Sequence, residues 1–208
     1  DFMFIGGIIF IVWSDGCSRQ LYVDDVKTKS DVYKWIKGTI AKEYSIHGRY
    51  LKRLHSDHES VLNSEAMIRH LDILGIEKTS SASDDKSRNG RVESQIQYLY
   101  HVVATNQAMF PYKMTKPQLK IMVKHSALLR TLTPQSGINW ERPYRLHFPR
   151  ESRQQALLPE LLEHRIPVGE LVVAAREGKG NNIAGHFLGL NPSVSGIGIY
   201  MRNVKTGK

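Results

Sequence analysis

The first apolar run of the chain, Phe2 to Trp13, is interrupted only by Gly6-Gly7, and neither half alternates with polar residues. Two short apolar runs around a glycine pair predict a hairpin, Asp1–Ile5 and Ile8–Ser14, buried on both faces. Asp15-Gly16 supplies the next turn, and Arg19–Val26 reads as a third strand. Ser30 caps a predicted helix from Asp31 to about Tyr44, with Val32, Trp35, Ile36 and Ile40 at helical spacing, and His47-Gly48 breaks it. Tyr50–Leu54 is a short strand that delivers Asp57 just past its end. Asn63 or Ser64 caps a helix through Leu74, with Met67, Ile68, Leu71 and Leu74 on one face and Gly75 as the stop. Ile76–Thr79 is another strand, and Ser80 to Gly90 (SSASDDKSRNG) reads as a mobile polar loop. A long helix is predicted from Arg91 to about Ala108, and another over Lys116–Leu132 with Leu119, Met122, Val123, Leu128 and Leu129 inward.

Residues 133–166 are rich in Arg and Pro and are expected to be irregular, with a short helix over Ala156–His164. Three β-like runs follow, Leu171–Arg176, Ile183–Leu190 and Ile197–Val204, separated by Asn181-Asn182 and by Pro192–Gly196. The order strand, strand, strand, helix, strand, helix, strand, helix over the first half matches the ribonuclease H-like plan. In that plan the first and fourth strands are neighbours and a late helix faces their ends. The fold class expected is therefore α/β, a ribonuclease H-like mixed sheet flanked by helices, followed by a small antiparallel β module. The boundaries expected are a core over 1–132, a basic linker over 133–166 and the small module, truncated, over 167–208.

Composition narrows the classes. An apolar share of 41% in 208 residues is enough for a packed core and excludes global disorder. The single cysteine, Cys17, excludes an internal disulfide or a Cys-based zinc cluster and fits a reducing compartment. The opening apolar run has no basic segment before it and no small-residue cleavage site after it, and it falls short of the ~20 residues that span a bilayer. Charge is unevenly placed: residues 1–110 hold 14 Lys/Arg and 14 Asp/Glu, and residues 111–208 hold 15 and 6, so the second half carries the whole net charge of +9. A neutral half bearing carboxylates joined to a basic half suits an enzyme acting on a polyanion, and a merely soluble basic surface fits the same distribution.

Three acids stand where chemistry on phosphate needs them. Asp1 opens the first strand, Asp57 leaves the fourth, and Glu93 lies in the first turn of the long helix, with 93 − 57 − 1 = 35 residues between the last two. Phosphoryl transfer on nucleic acid uses two divalent cations about 3.5–4 Å apart. Mg²⁺ or Mn²⁺ prefers oxygen donors, and three carboxylates from separate elements can hold such a pair, Asp57 bridging and Asp1 and Glu93 each finishing one site. Acids at strand and helix ends also occur without catalysis, as in a first helical turn where Glu complements the macrodipole. Asp24, Asp25, Asp84 and Asp85 read as solvated turn charges.

The segments around these acids resemble integrases of copia-like retrotransposons. LHSDHE (Leu54–Glu59) is similar to the family's strand ending in Ser-Asp, and LGIEKTSSASDDKSRNGRVE (Leu74–Glu93) to its run from helix stop through loop to Asn-Gly-x-x-Glu. ERPYRLHF (Glu141–Phe148) is similar to the Pro-Tyr-Glu-Leu segment after the core. GHFLGLNPSVSGIGIYMRNVKTGK (Gly185–Lys208) is similar to the small β-module with Gly-x-Phe-x-Gly. Ser94 and His58 depart from the family pattern, which has a basic residue after the glutamate and often glycine after the aspartate.

The resemblance implies a DDE-type polynucleotidyl transferase. It would use Asp1, Asp57 and Glu93 with two Mg²⁺ or Mn²⁺ ions to process the 3′ ends of element DNA and transfer them into target DNA. It implies DNA as partner (element ends and target), a homo-oligomer, no membrane, and action in the nucleus or a cytoplasmic particle. A ribonuclease H-like nuclease and a catalytically dead DNA-binding remnant remain the alternatives. The chain opens on its own candidate ligand, so a fragment of a longer polyprotein is expected, one in which the free α-amino group of Asp1 weakens metal binding. On the long helix, Val92, Ile96, Leu99 and Val103 form a predicted buried face, and Glu93, Gln97 and His101 a second face with Tyr100 beside it. Lys86, Arg88, Asn89, Arg91, Gln97 and Tyr100 are the candidate nucleic-acid contacts. For these residues a solvated polar surface is the competing reading.

Overall fold

The structure is a computed structural model, and it describes residues 1–28, 30–57, 62–80, 90–110, 112–148, 153–163, 166–174, 183–193 and 196–204. By internal packing the chain divides into two compact units: Asp1–Ser14 with Tyr22–Gln97, and Asp15–Leu21 with Tyr98–Lys208.

The first unit begins with the predicted hairpin, β1 (Phe2–Ile5) and β2 (Ile8–Ser14), paired antiparallel from Phe2↔Ile11 to Ile5↔Ile8. Gly6 and Gly7 both take positive φ, 58° and 70°, the geometry of a two-residue turn that matches strand twist. Burial on both faces holds except at Phe4, which is 53% exposed. β3 (Leu21–Val26) completes a three-stranded sheet in the order β1-β2-β3. Helix α1 (Asp31–His47) buries Val32, Ile36 and Ile40. β4 (Arg53–Ser56), α2 (Glu65–Ile73) and β5 (Glu77–Ser80) form a β-α-β unit, its strands parallel with Leu54 opposite Lys78. The ladders therefore group the strands as β1-β2-β3 and β4-β5. Both groups share one core: Phe2, Ile11, Leu54, Met67, Leu71 and Ile76 belong to a single buried cluster.

Two expectations are corrected here. The fourth strand starts at Arg53 rather than Tyr50, whose ring is 73% exposed and packs on Tyr44 instead. On α2 only Met67 and Leu71 face the core, while Ile68 and Leu74 are exposed. A helix of nine residues has room for one inward i, i+4 pair, and Leu74 already lies beyond its last turn.

Helix α3 (Gly90–Met109) runs through the division between the units, and α4 (Lys116–Leu132) follows. The N–H of Thr115 donates to Gln118 Oε1 at 3.0 Å, and Pro117 sits in the first turn, where its missing N–H costs no hydrogen bond. The irregular course expected for 133–166 is corrected in its first part, which contains a 3-10 turn (Ser136–Ile138) and α5 (Pro143–His147), while the helix expected over Ala156–His164 is present as α6 (Arg153–Glu163). Pro143 opens α5 rather than breaking a helix, and Tyr144, Phe148, Leu158 and Leu161 pack with Leu132, Phe187 and Leu190 in a second core. The antiparallel module is β6 (Leu171–Ala174), β7 (Ile183–Ser193) and β8 (Gly196–Asn203), in that order. Its β7–β8 ladder continues through Pro192↔Ile197 to Ser193↔Gly196, so Pro192, Ser193 and Gly196 belong to the strands rather than to a separator.

The Gly-x-Phe-x-Gly motif has a packing explanation. Phe187 is fully buried edge-on against His125 of α4, and the ladder shifts register between Phe187 and Gly189. A β-carbon on Gly189 would lie 2.7 Å from His125 Cβ, so only glycine lets β7 approach α4 this closely. His125 Nδ1 accepts the N–H of Leu190 at 3.2 Å, which requires the neutral imidazole, and burial pushes its pKa down to about 4. The unfolded chain, with histidine near 6.5, takes up this proton first as pH falls. The stability that neutral His125 contributes is thus fully present above about pH 6.5 and is lost progressively towards pH 4. We expect stability to urea to fall by about 2 kcal/mol between pH 7 and pH 5 from this group, and the His125→Gln variant to lose that part of the slope. An unaltered pH profile in the variant would assign the slope elsewhere.

Candidate metal centre

All three candidate ligands lie in the first unit. Asp1 is held in the hairpin ladder: its carbonyl accepts the Val12 N–H at 2.9 Å, and its amino group donates to Val12 O at 3.0 Å. Its half-buried carboxylate accepts the Phe2 N–H at 2.7 Å through Oδ1. Asp57 follows the last residue of β4 and is half-buried. Its carbonyl is fixed from two sides, by Ser56 Oγ at 3.0 Å and by Asn63 Nδ2 at 3.1 Å. Glu93 occupies the first turn of α3 and is exposed.

The sequence reading missed a cation beside Asp57. Lys78, half-buried on β5, donates through Nζ to Ser56 Oγ at 2.6 Å and to Thr79 O at 3.3 Å. Burial lowers its pKa, and the Asp57 carboxylate acts in the opposite direction. Period-two alternation was the available signal. Ile76 is buried, so Lys78 two positions on shares its inward side and reaches buried Ser56 across the pair.

The helix pattern matches its expectation. Ile96, Leu99 and Val103 are buried and Val92 half-buried, while Glu93, Gln97 and His101 are exposed. Arg91 is exposed and Tyr100 half-buried. Gln95, buried at 2% exposure, was not foreseen. Lys86, Arg88 and Asn89 lie outside the described residues, as do Asp84, Asp85 and the loop expected to be mobile. Asp24 was read as a solvated turn charge, yet it lies within β3 and its Oδ2 accepts the Trp35 indole N–H at 3.1 Å. Tyr22 likewise donates to Glu43 Oε1 at 2.7 Å. These acids line an open cleft of about 690 Å³ between β3 and α1 that includes none of Asp1, Asp57 and Glu93. Their engagement with aromatic neighbours makes them part of the packing there.

Among the described residues, no three His, Cys, Asp or Glu side chains stand close enough together to hold one ion. The donor chemistry of Asp1, Asp57 and Glu93 nonetheless fits a hard divalent cation: three carboxylates on three elements of one unit, without sulfur or imidazole among them. The structure also separates their folding role from their chemistry. Glu93→Gln, on an exposed face, should change stability by less than about 0.5 kcal/mol. Ser56→Ala removes an acceptor from a half-buried ammonium and should cost about 1–2 kcal/mol. Urea unfolding of both variants checks this ranking, and a reversed order would contradict the hydrogen bonding at β4.

No protein-family model matches the chain, and no curated protein does. Among solved structures it is similar to the catalytic core domain of BIV integrase (crystal form I), with a TM-score of 0.52 and 20% identity, over 71% of this chain and 90% of that one. At that identity the likeness is one of fold. The chain has an integrase-core fold of the ribonuclease H-like class, mixed α/β with flanking helices, and it carries a small antiparallel β-module.

Proposed function

We propose that the chain is the catalytic part of a copia-like retrotransposon integrase, a polynucleotidyl transferase acting on DNA. One observation carries the reading: an integrase-core fold with a carboxylate just past β4 and another in the first turn of α3, in one unit with Asp1. The sequence likeness around Asp57, Glu93 and Gly185–Lys208 supports the retrotransposon assignment. On this reading residues 1–132 are the core, 133–166 the basic connection and 167–208 the β-module. Element ends and target DNA are the substrates, and a homo-oligomer is the working form.

Both reactions are in-line displacements at phosphorus. Water attacks a phosphodiester near the element's end and releases the 3′ oxygen as a hydroxyl, which then attacks a target phosphodiester and displaces its 3′ oxygen. The chemistry supplied by a bound pair of Mg²⁺ or Mn²⁺ ions is polarisation of the phosphate and stabilisation of the attacking and departing oxygens. Asp1, Asp57 and Glu93 would hold that pair. The position of Asp57 is set by the Ser56 and Asn63 hydrogen bonds to its carbonyl, and that of Asp1 by its ladder with Val12. Arg91, Gln97 and Tyr100, together with Lys86, Arg88 and Asn89, would contact DNA through phosphates rather than reading its sequence.

Assays of 3′-end trimming and strand joining with Mn²⁺ test this. Asp57→Asn and Glu93→Gln should each lower both activities by about a hundredfold or more and weaken Mn²⁺ binding by calorimetry. Cleavage without joining would identify a ribonuclease H-like nuclease instead. DNA binding with neither reaction would identify a remnant that has kept only its charge.

A further inference from the structure

Three non-glycine residues among those described have positive φ, and they gather in one place within the second unit: Arg19 (62°), Asn139 (53°) and Trp140 (60°). Asparagine tolerates this region. Arginine and above all tryptophan do not, and such strain persists only where the surroundings over-determine it. Those surroundings are on view. The segment from Gln135 to Glu141 is closed by backbone hydrogen bonds, Gln135 N–H to Glu141 O at 3.1 Å and Trp140 N–H to Gln135 O at 3.0 Å among them. Gln135 Nε2 ties it to Arg130 O at the end of α4 at 3.2 Å. The Arg19 guanidinium lies so close over Gly137 that a β-carbon there would overlap it. The turn carrying Arg19 is itself pinned to α5, since buried Ser18 Oγ lies 2.7 Å from Asp15 Oδ1 and 2.9 Å from His147 Nδ1.

The strained, tethered loop holds its largest apolar side chain in water. Trp140 is 71% exposed. Its neighbours are mostly cationic: Arg19 against Gly137, Arg142 two residues on, and exposed Arg145 in α5, with one acid among them, Glu141, in a solvent-screened pair with Arg145 at 3.7 Å. From Ser94 to Trp140 the chain contains no Asp or Glu, while Lys116, Lys120 and Lys124 follow one another at i, i+4 and i+8 along α4. A rigid, exposed indole among positive charges is the pairing that receives an unstacked base and its phosphates.

We propose that the 135–141 loop is a base-stacking site for single-stranded DNA, with Trp140 as its platform and Arg19, Arg142 and Arg145 as its phosphate contacts. The site deepens the function proposed above and rests on it, because an integrase must handle an unpaired end or a displaced strand. A paired base inside a duplex offers no free face to the indole, so the site discriminates for single strands.

Fluorescence anisotropy with labelled oligothymidylate and with a blunt duplex, using the full chain, tests the inference. Trp140→Ala should weaken oligothymidylate binding about tenfold. Duplex affinity should hold within about twofold, and the salt slope should not change, because a stacked base releases no counterions. Trp140→Phe should keep most of the affinity. As a second readout, oligothymidylate should quench the indole fluorescence of the unaltered chain, and Trp140→Phe, which leaves only Trp13 and Trp35, should lose that quenching, a comparison that holds even if Trp140→Ala folds poorly. Equal oligothymidylate affinity in Trp140→Ala together with no quenching overturns the site while leaving DNA binding as such intact. A chain that binds neither oligonucleotide overturns the functional reading and the site together. A change of sedimentation from oligomer to monomer in Trp140→Ala, with oligothymidylate affinity kept, would make the loop a self-association surface and overturn the proposal.

Discussion

Phe2 and Ile11 pair across the opening hairpin on one face, Met3 and Phe10 on the other, and all four are buried. A hairpin with two apolar faces cannot be left half in water. Each face left exposed would cost about 25 cal/mol per Å² of apolar surface. That demand organises the first unit, in which α1 and α2 supply Val32, Ile36, Ile40, Met67 and Leu71 to the core that Phe2 and Ile11 enter. It also confines charge. The two strands carry no ionisable side chain between Asp1 and Asp15, and Asp1, Asp57 and Glu93 lie at the ends of elements.

An enzyme of the kind proposed, which gathers carboxylates and acts on a polyanion, must keep one from repelling the other. The charge of this chain is divided along its length: residues 1–110 balance their charges, and the excess of +9 falls entirely in 111–208. Locally the same problem is met at β5, where the half-buried Lys78 ammonium stands beside Asp57 without being fully dehydrated. Its bond to Ser56 Oγ holds the cation by the strand, where it and the Asp57 carboxylate feel each other's field.

What could be read from the sequence follows the strength of each periodic signal. The hairpin, α1, α4 and the buried face of α3 were legible because their apolar spacing spans several repeats and their ends carry glycine or proline. Position along the chain was enough to put Asp57 past a strand and Glu93 in a first helical turn. Within 133–166 the helix α6 was legible from Leu157, Leu158, Leu161 and Leu162, but α5 was not, because the segment's prolines mimic breakers; Pro143 in fact starts α5. Lys78 was passed over because a lysine at an inward strand position contradicts the usual pattern, and only the pairing with Ser56 explains it. The left-handed backbone at Trp140 has no sequence signature, since tryptophan is among the residues least suited to it.

Helix α4 shows how one element serves both packing and charge. Lys116, Lys120 and Lys124 lie on one line of its surface, and the lines beside them carry Leu119, Met122, Val123 and Ser126 into the core. The lysine line cannot continue to the end of the helix, because Ala127 and Thr131, which lie next to its extension, are buried. Small or hydroxylated residues are the ones that permit that change of surroundings. Ala127 adds little volume, and the hydroxyls of Ser126 and Thr131 satisfy themselves on the carbonyls of Met122 and Leu128 at 2.9 and 2.7 Å. Lengthening the basic line by a further turn would put a lysine at half-buried Leu128, where the side chain packs against the second core, at a desolvation cost to the ammonium. The lysine line of α4 therefore ends where the second core begins; Arg130 in the last turn lies over the Tyr98 ring, 4.5 Å from its centroid, and further positive charge follows the strained loop at Arg142 and Arg145.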